Sequence, residues 1–367
     1  MKLYSILAAL VVLAISCKKP VEEPGVQLPT NLETIVTATE GLVEVQASAS
    51  GANFFTTTFY DGSNAVEVES NDGIASYTFI ASGSYTISTK AHATYAEYIE
   101  KTETVSVSIP SPSSGIPSTG YSTPMSYPGY SLVWNDEFDG SSLSSAWTYD
   151  IGTGSWGWGN NELQYYRTEN AVVDSGVLTI TAKAESFDGQ SYTSSRIKTQ
   201  GLTSFQYGRI DIRAVLPYGQ GIWPALWMLG DNISTVGWPQ CGEIDIMELV
   251  GGTSASGAGD NRVHGTLHWD EGGHANFGGS NALSSGIFAD EWHVFSIIWD
   301  SNQIRFLRDD VQYHVMNISG AEKTEFHQNF FFIFNIAVGG NWPGSPDAST
   351  VFPQRMYVDY VLSLIHI

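Results

Sequence analysis

The sequence predicts an all-β protein, a small β-sandwich followed by a larger β domain. Gly, Ser, Thr and aromatic residues are plentiful and only 15% of residues are charged, as in many extracellular all-β proteins. Short runs that alternate with period two recur between Gly, Pro, Asn and Asp turn signals. The length of 367 residues allows about two domains with sizeable cores. A net charge of −22 argues against nucleic-acid binding, which needs a basic surface.

Residues 1–16 read as a targeting segment, with Lys2 ahead of an apolar run that is too short for an ordinary spanning helix. Ala14-Ile15-Ser16-Cys17 resembles a bacterial lipobox, with Ala where Leu is more usual. The resemblance implies cleavage before Cys17 and lipidation on Cys17. The protein would then be anchored to the membrane at the cell envelope, on the outer membrane. The alternative is an ordinary secretory signal. Cys241 is the second of 2 cysteines, so an acylated Cys17 leaves no internal disulfide. Residues 17–30 read as a flexible tether.

Residues 31–109 carry short alternating segments at 42–49, 54–60, 65–69, 77–80, 84–92 and 103–109. Asp61-Gly62 and Asp72-Gly73 read as hairpin turns. This is a small β-sandwich pattern. The run 77–87 resembles the PKD-type immunoglobulin-like modules of bacterial polysaccharide enzymes. All 11 tryptophans lie at Trp134 or later, so the module reads as a spacer. Residues 110–129, rich in Pro, Ser and Gly, read as a semi-extended linker that does not pack.

The domain at 130–361 is organised around Cys241-Gly242-Glu243-Ile244-Asp245-Ile246-Met247-Glu248-Leu249-Val250. The flanking aliphatics favour a strand, in which side chains alternate faces. Glu243 and Asp245 then share a face, and strict alternation puts Glu248 on the other. One extra residue, a β-bulge at Ile246-Met247, returns Glu248 to the acidic face. Two carboxylates on one face meet the requirement of glycoside hydrolysis with retention. Repulsion among three acids keeps one protonated while another is ionised. A solvated acidic edge strand fits the same residues. Upstream stand Gly221-Ile222-Trp223-Pro224-Ala225-Leu226-Trp227-Met228-Leu229 and Gly237-Trp238-Pro239. Indole faces bind sugar C–H faces, although Trp223 and Trp227 also suit a core.

These two motifs together resemble glycoside hydrolase family 16, in particular its laminarinase-like endo-β-1,3-glucanases. The resemblance covers about residues 130–361. It implies a jelly-roll sandwich with an open cleft, preceded here by the immunoglobulin-like unit. It implies Glu243 as nucleophile, Asp245 as its assistant and Glu248 as acid/base. The extra residue before Glu248 resembles the laminarinase, agarase and carrageenase side of the family. Low positive charge and the Trp-Pro pairs favour a neutral β-1,3-glucan, with mixed β-1,3/1,4-glucan also in view. The runner-up is an agarase- or carrageenase-like galactan hydrolase. A third reading is a non-catalytic glucan-recognition protein, against which the three retained acids argue. The expected protein is a monomer that needs no cofactor for catalysis.

Residues 132–140 resemble the family's opening strand, and residues 157–166 resemble its GNNELQYY motif, which places Asn160 or Asn161 beside the substrate. Tyr192-Thr193-Ser194-Ser195-Arg196-Ile197 resembles Y-T-S-G-R-I, with Ser195 in place of Gly. Its Arg196 is expected to bind substrate or the cleft carboxylates. Residues 205–214 read as a strand with a solvated charged face. In residues 263–269, His264, Thr266 and His268 share a face. The resemblance favours His268 at the cleft, while a His264, His268 and Asp270 metal set is the alternative. Residues 292–299 and 304–307 read as an outer-sheet hairpin. The phenylalanine run at 330–334 reads as inter-sheet core, with Trp342 beside the cleft. The family often holds a structural Ca2+, which implies Asp359, Glu137 and the Gly176 carbonyl. Residues 362–367 depart from the family's final strand and read as a non-native tail that clips it.

Overall fold

The protein is described by a computed structural model over residues 26–39, 42–61, 64–79, 83–107 and 115–366. The leader, Cys17 and most of the tether lie outside these residues. The chain divides into two units, Met1–Ile109 and Pro110–Ile367.

In the first unit, alternation turns one face of each strand inward, as in Leu42–Ser50, where Val43 and Val45 are buried. Three strands form one sheet: Thr30–Thr39, Leu42–Ser50 and Ile74–Thr78. Four form the other: Asn64–Ser70, Phe54–Asp61, Gly83–His92 and Tyr98–Val107. Val43, Val45 and Ala75 from one sheet share a core with Phe59, Ile87 and Val107 from the other. Thr30–Thr39 escapes the sequence reading because its exposed Ile35 breaks the apolar pattern. Asp72-Gly73 is not a hairpin turn, since the strands on either side of it belong to different sheets. Gly73 has φ +77°, and a Cβ there would sit 2.1 Å from the Ala47 carbonyl oxygen. The crossover therefore requires glycine.

The second unit is a sandwich of two antiparallel sheets. The outer sheet is eight-stranded and includes His293–Trp299 and Gln303–Arg308, as the sequence predicts. The other sheet runs in the order His274–Ala282, Arg262–Asp270, Glu243–Leu249, Ile222–Gly230, Phe330–Val338, Arg196–Lys198, Thr148–Asp150. Phe330–Val338 is buried along its whole length. Phe330, Phe332, Phe334 and Ile336 enter the inter-sheet core. Phe331 and Ile333 instead pack on the opposite face with Leu229 and Cys241, so the run is only half inter-sheet core.

Two expectations fail together on the eight-stranded sheet. Residues 115–129 are a strap that packs, not a free linker. Tyr121 N–H donates to the Trp292 carbonyl at 2.8 Å, and Trp292 Nε1 donates to the Pro117 carbonyl at 2.7 Å. Thr123 N–H donates to Tyr360 Oη at 2.8 Å. Tyr127 lies 3.9 Å from the Arg209 guanidinium and donates from Oη to Asp211 at 3.1 Å. Arg209 and Asp211, at 5% and 0% exposure, are therefore buried, where the sequence reading placed a solvated face. Their charges are paired with each other at 2.8 Å, as burial demands.

The final strand does not stop at residue 361. Gln354–His366 lies against Gly208–Val215 on one side and, on the other, against Val177–Ala182 and then, from residue 361 onward, Tyr130–Asp136; Leu362, Ser363 and Leu364 are fully buried. The alternating apolar residues of the tail suit this strand, so its departure from the family pattern does not clip the sheet.

Candidate active site

The acids stand where the bulge puts them. Against Ile222–Gly230, Asp245 pairs with Trp227 and Met247 with Leu226, which leaves Ile246 as the extra residue. Against Arg262–Asp270, Asp245 pairs with Thr266 and Glu248 with His264, so three steps oppose two. Ile244, Ile246, Met247 and Leu249 all enter the inter-sheet core. Glu243, Asp245 and Glu248 line one cleft of about 470 Å³. The edge-strand alternative fails, because the strand is third from the edge of its sheet and Asp245 and Glu248 are 3% and 8% exposed.

Each acid has its own neighbours. Trp238 Nε1 donates to Glu243 Oε2 at 2.9 Å, and Trp223 Nε1 donates to Glu248 Oε1 at 3.0 Å. His268 Nε2 lies 3.1 Å from Asp245 Oδ2 and 3.7 Å from Glu243 Oε1. One donor atom from each of Glu243, Asp245 and His268 falls within 4.8 Å of the others. Burial raises the proton affinity of all three acids; mutual repulsion raises Glu243 and Glu248 further, while His268 draws both down. The cluster therefore holds protons near neutral pH, and the Trp238 N–H bond favours the anion at Glu243.

This carries a stability consequence with a definite sign. In acid, below the unfolded Glu value of about 4.3, folded and unfolded chains both hold the proton and there is no penalty. As pH rises, the unfolded chain ionises while the folded chain keeps its proton, and the cost of the buried acid grows until the folded value is passed. Glu248→Gln is therefore expected to match the parent Tm near pH 4 and to exceed it by several degrees near pH 9, by calorimetry. A constant difference across that range would contradict the buried-acid picture.

The remaining residues divide. Trp223, Trp227, Trp238, His268, Trp342, Arg196 and Asn160 line the cleft. Arg196 does not donate to the catalytic acids. Its Nε donates to Asp150 at 3.0 Å, and its guanidinium lies 4.7 Å from Trp158 and 4.9 Å from Trp227. Asn161 turns away from the cleft, and its Nδ2 donates to Asn341 Oδ1 at 2.8 Å, joining two loops. Trp227 Nε1 donates to Asn335 at 2.8 Å, which leaves its face to the cleft and excludes a purely core role. His264 Nε2 bonds the Gly257 carbonyl at 2.9 Å and the ring packs on Trp342 at 5.0 Å, so no metal set forms from His264, His268 and Asp270. Burial pushes the Cys241 thiol up to about 11, which leaves it inert.

Glu162, Asn335 and His274 also line the cleft and were missed. Glu162 accepts from Gln164 Nε2 at 2.7 Å and Tyr166 Oη at 3.0 Å. Its place in GNNELQYY was the available signal. His274 faces the cleft only because the hairpin through Gly272-Gly273 sets it opposite Asp270.

At the residues implied for calcium, two carboxylates lie near one another. Glu137 feels the charges of Asp359 and Asp139, and burial raises its proton affinity. Asp359, however, is already paired with Arg213 Nη1 at 2.6 Å. Among the described residues, the acids there do not close into a ligand cluster.

Comparison with known proteins agrees with this geometry. The family described as "Glycosyl hydrolases family 16" matches residues 157–361. The chain is 43% identical over 251 residues to the "Beta-glucanase" of Rhodothermus marinus, covering 64% of this chain and 85% of that protein. It is 42% identical over 238 residues to the "Clotting factor G alpha subunit" of Tachypleus tridentatus, covering 64% of this chain but only 34% of that protein. Among solved structures it resembles the catalytic domain of an endo-1,3-beta-glucanase (laminarinase) from Thermotoga petrophila RKU-1. That likeness has TM-score 0.60 and 43% identity, covering 65% of this chain and 98% of that one.

Proposed function

The chain belongs to glycosyl hydrolase family 16, and from that premise we propose that it is a retaining, endo-acting hydrolase of β-1,3-glucan. The observation that carries the reading is the bulge, which brings Glu243, Asp245 and Glu248 onto one cleft wall. Glu243 attacks the anomeric carbon as the glycosidic bond breaks. Protonated Glu248 gives its proton to the leaving oxygen, so a glycosyl-enzyme forms and the aglycone departs neutral. Glu248, now ionised, takes a proton from water, whose oxygen displaces Glu243 from the sugar. Asp245 lies between the two and shares a proton with Glu243.

Trp223, Trp227, Trp238 and Trp342 offer apolar faces to a neutral sugar. With a net charge of −22, a sulfated chain would meet repulsion. Incubation with laminarin, lichenan, agarose and carrageenan tests this through released reducing ends. Oligosaccharides from laminarin, with little from the galactans, are expected. Release from lichenan as well would extend the reading to mixed-linkage glucan. Activity on a galactan alone would overturn the substrate.

The lipobox resemblance extends the proposal to a lipid-anchored enzyme of the cell envelope, acting as a monomer. Metabolic labelling with a palmitate analogue, lost in Cys17→Ser, tests the anchor.

A further inference from the structure

His274 belongs to no motif that the sequence analysis singled out, yet two side chains that face the nucleophile converge on it. Its ring lies edge to edge with that of His268, centroids 5.0 Å apart and planes 15° apart, and its Nε2 lies 2.7 Å from His268 Nδ1. The same ring lies 4.6 Å from the Trp238 indole. Trp238 is 47% exposed and follows a one-turn helix, Ile233–Val236. Among the described residues, its indole meets two rings, those of His274 and, at 6.3 Å, His268.

We propose that His274 is a positioning residue that holds the Trp238 indole and the His268 imidazole against the nucleophile Glu243. This rests on the reading of Glu243 given above. His268 Nε2 faces oxygens of both Asp245 and Glu243, so Nε2 carries the hydrogen whenever the facing carboxylate is ionised. In the neutral ring Nδ1 then accepts, and the donor at 2.7 Å is His274 Nε2–H. Without that donor, His268 can rotate and exchange its nitrogens. Without the His274 ring, the Trp238 indole keeps its bond to Glu243 at 2.9 Å and the more distant His268 ring. One exposed imidazole thus touches both side chains that stand beside Glu243.

The two supports separate by substitution. His274→Gln keeps an amide donor near the Nε2 position but removes the ring. His274→Phe keeps the ring and removes the donor. In the full chain, His274→Ala is expected to lower kcat on laminarin about tenfold with KM within twofold, and Gln and Phe each to restore part of it. Independently of turnover, 15N spectra of the imidazoles should show His268 held in one tautomer in the parent and in His274→Gln, and mixed tautomers in His274→Ala. A raised KM at unchanged kcat would overturn the proposal and make His274 a substrate contact. An unchanged His268 tautomer in His274→Ala would overturn it equally. If the parent released nothing from laminarin, the substrate reading would fail, and the tautomer measurement would still decide the role of His274.

Discussion

Glu243→Gln and Glu248→Gln are each expected to lower kcat on laminarin by on the order of a thousandfold or more, while laminarin still binds. The amide keeps the volume and an acceptor oxygen, so Trp238 and Trp223 can still donate to it. What is lost differs between the two. Gln at 243 cannot form the ester to the sugar. Gln at 248 cannot give a proton to the leaving oxygen, nor take one from water. The second variant should therefore recover most on substrates whose leaving group needs no proton, such as an activated aryl glycoside. Equal recovery in both variants would contradict the assignment of roles. Retained laminarin turnover in both would remove the acids from the mechanism.

The second large effect is on stability. A chain beginning at residue 130 lacks the strap at 115–129, and its Tm is expected to fall by on the order of 10 °C below that of a chain beginning at residue 115. The lost contacts include the bonds to Trp292, Tyr360 and Asp211, each worth about 1 kcal/mol net. The Arg209–Asp211 pair would lose its Tyr127 cover. Tyr127→Ala in the full chain should show a fraction of the loss. Equal Tm values for the two truncations would show the strap to be ornamental to folding.

The strap also explains where sequence reading stopped. Its Pro, Ser and Gly residues look like a linker because composition reports local stiffness, not what lies beneath. The charges of Arg209 and Asp211 look solvated for the same reason: their cover comes from residues more than eighty positions away in the chain. One tertiary contact hid both. The bulge, by contrast, was legible, because three acids amid buried aliphatics satisfy one core only if a residue is added at Ile246-Met247. His274 was not legible, since its value lies in rings that a hairpin brings together. Arg196 was half legible: it reaches the cleft, but its partner Asp150 lies on a strand forty-six residues away.

The most direct test of the central claim is to trap the glycosyl-enzyme. The protein would be incubated with a 2-deoxy-2-fluoro laminaribiosyl donor bearing a good leaving group, then digested and sequenced by mass spectrometry. A fluoroglycosyl adduct on Glu243, absent from Glu243→Gln, is the predicted result. An adduct on another residue, or none alongside normal turnover of laminarin, would contradict a retaining mechanism through Glu243.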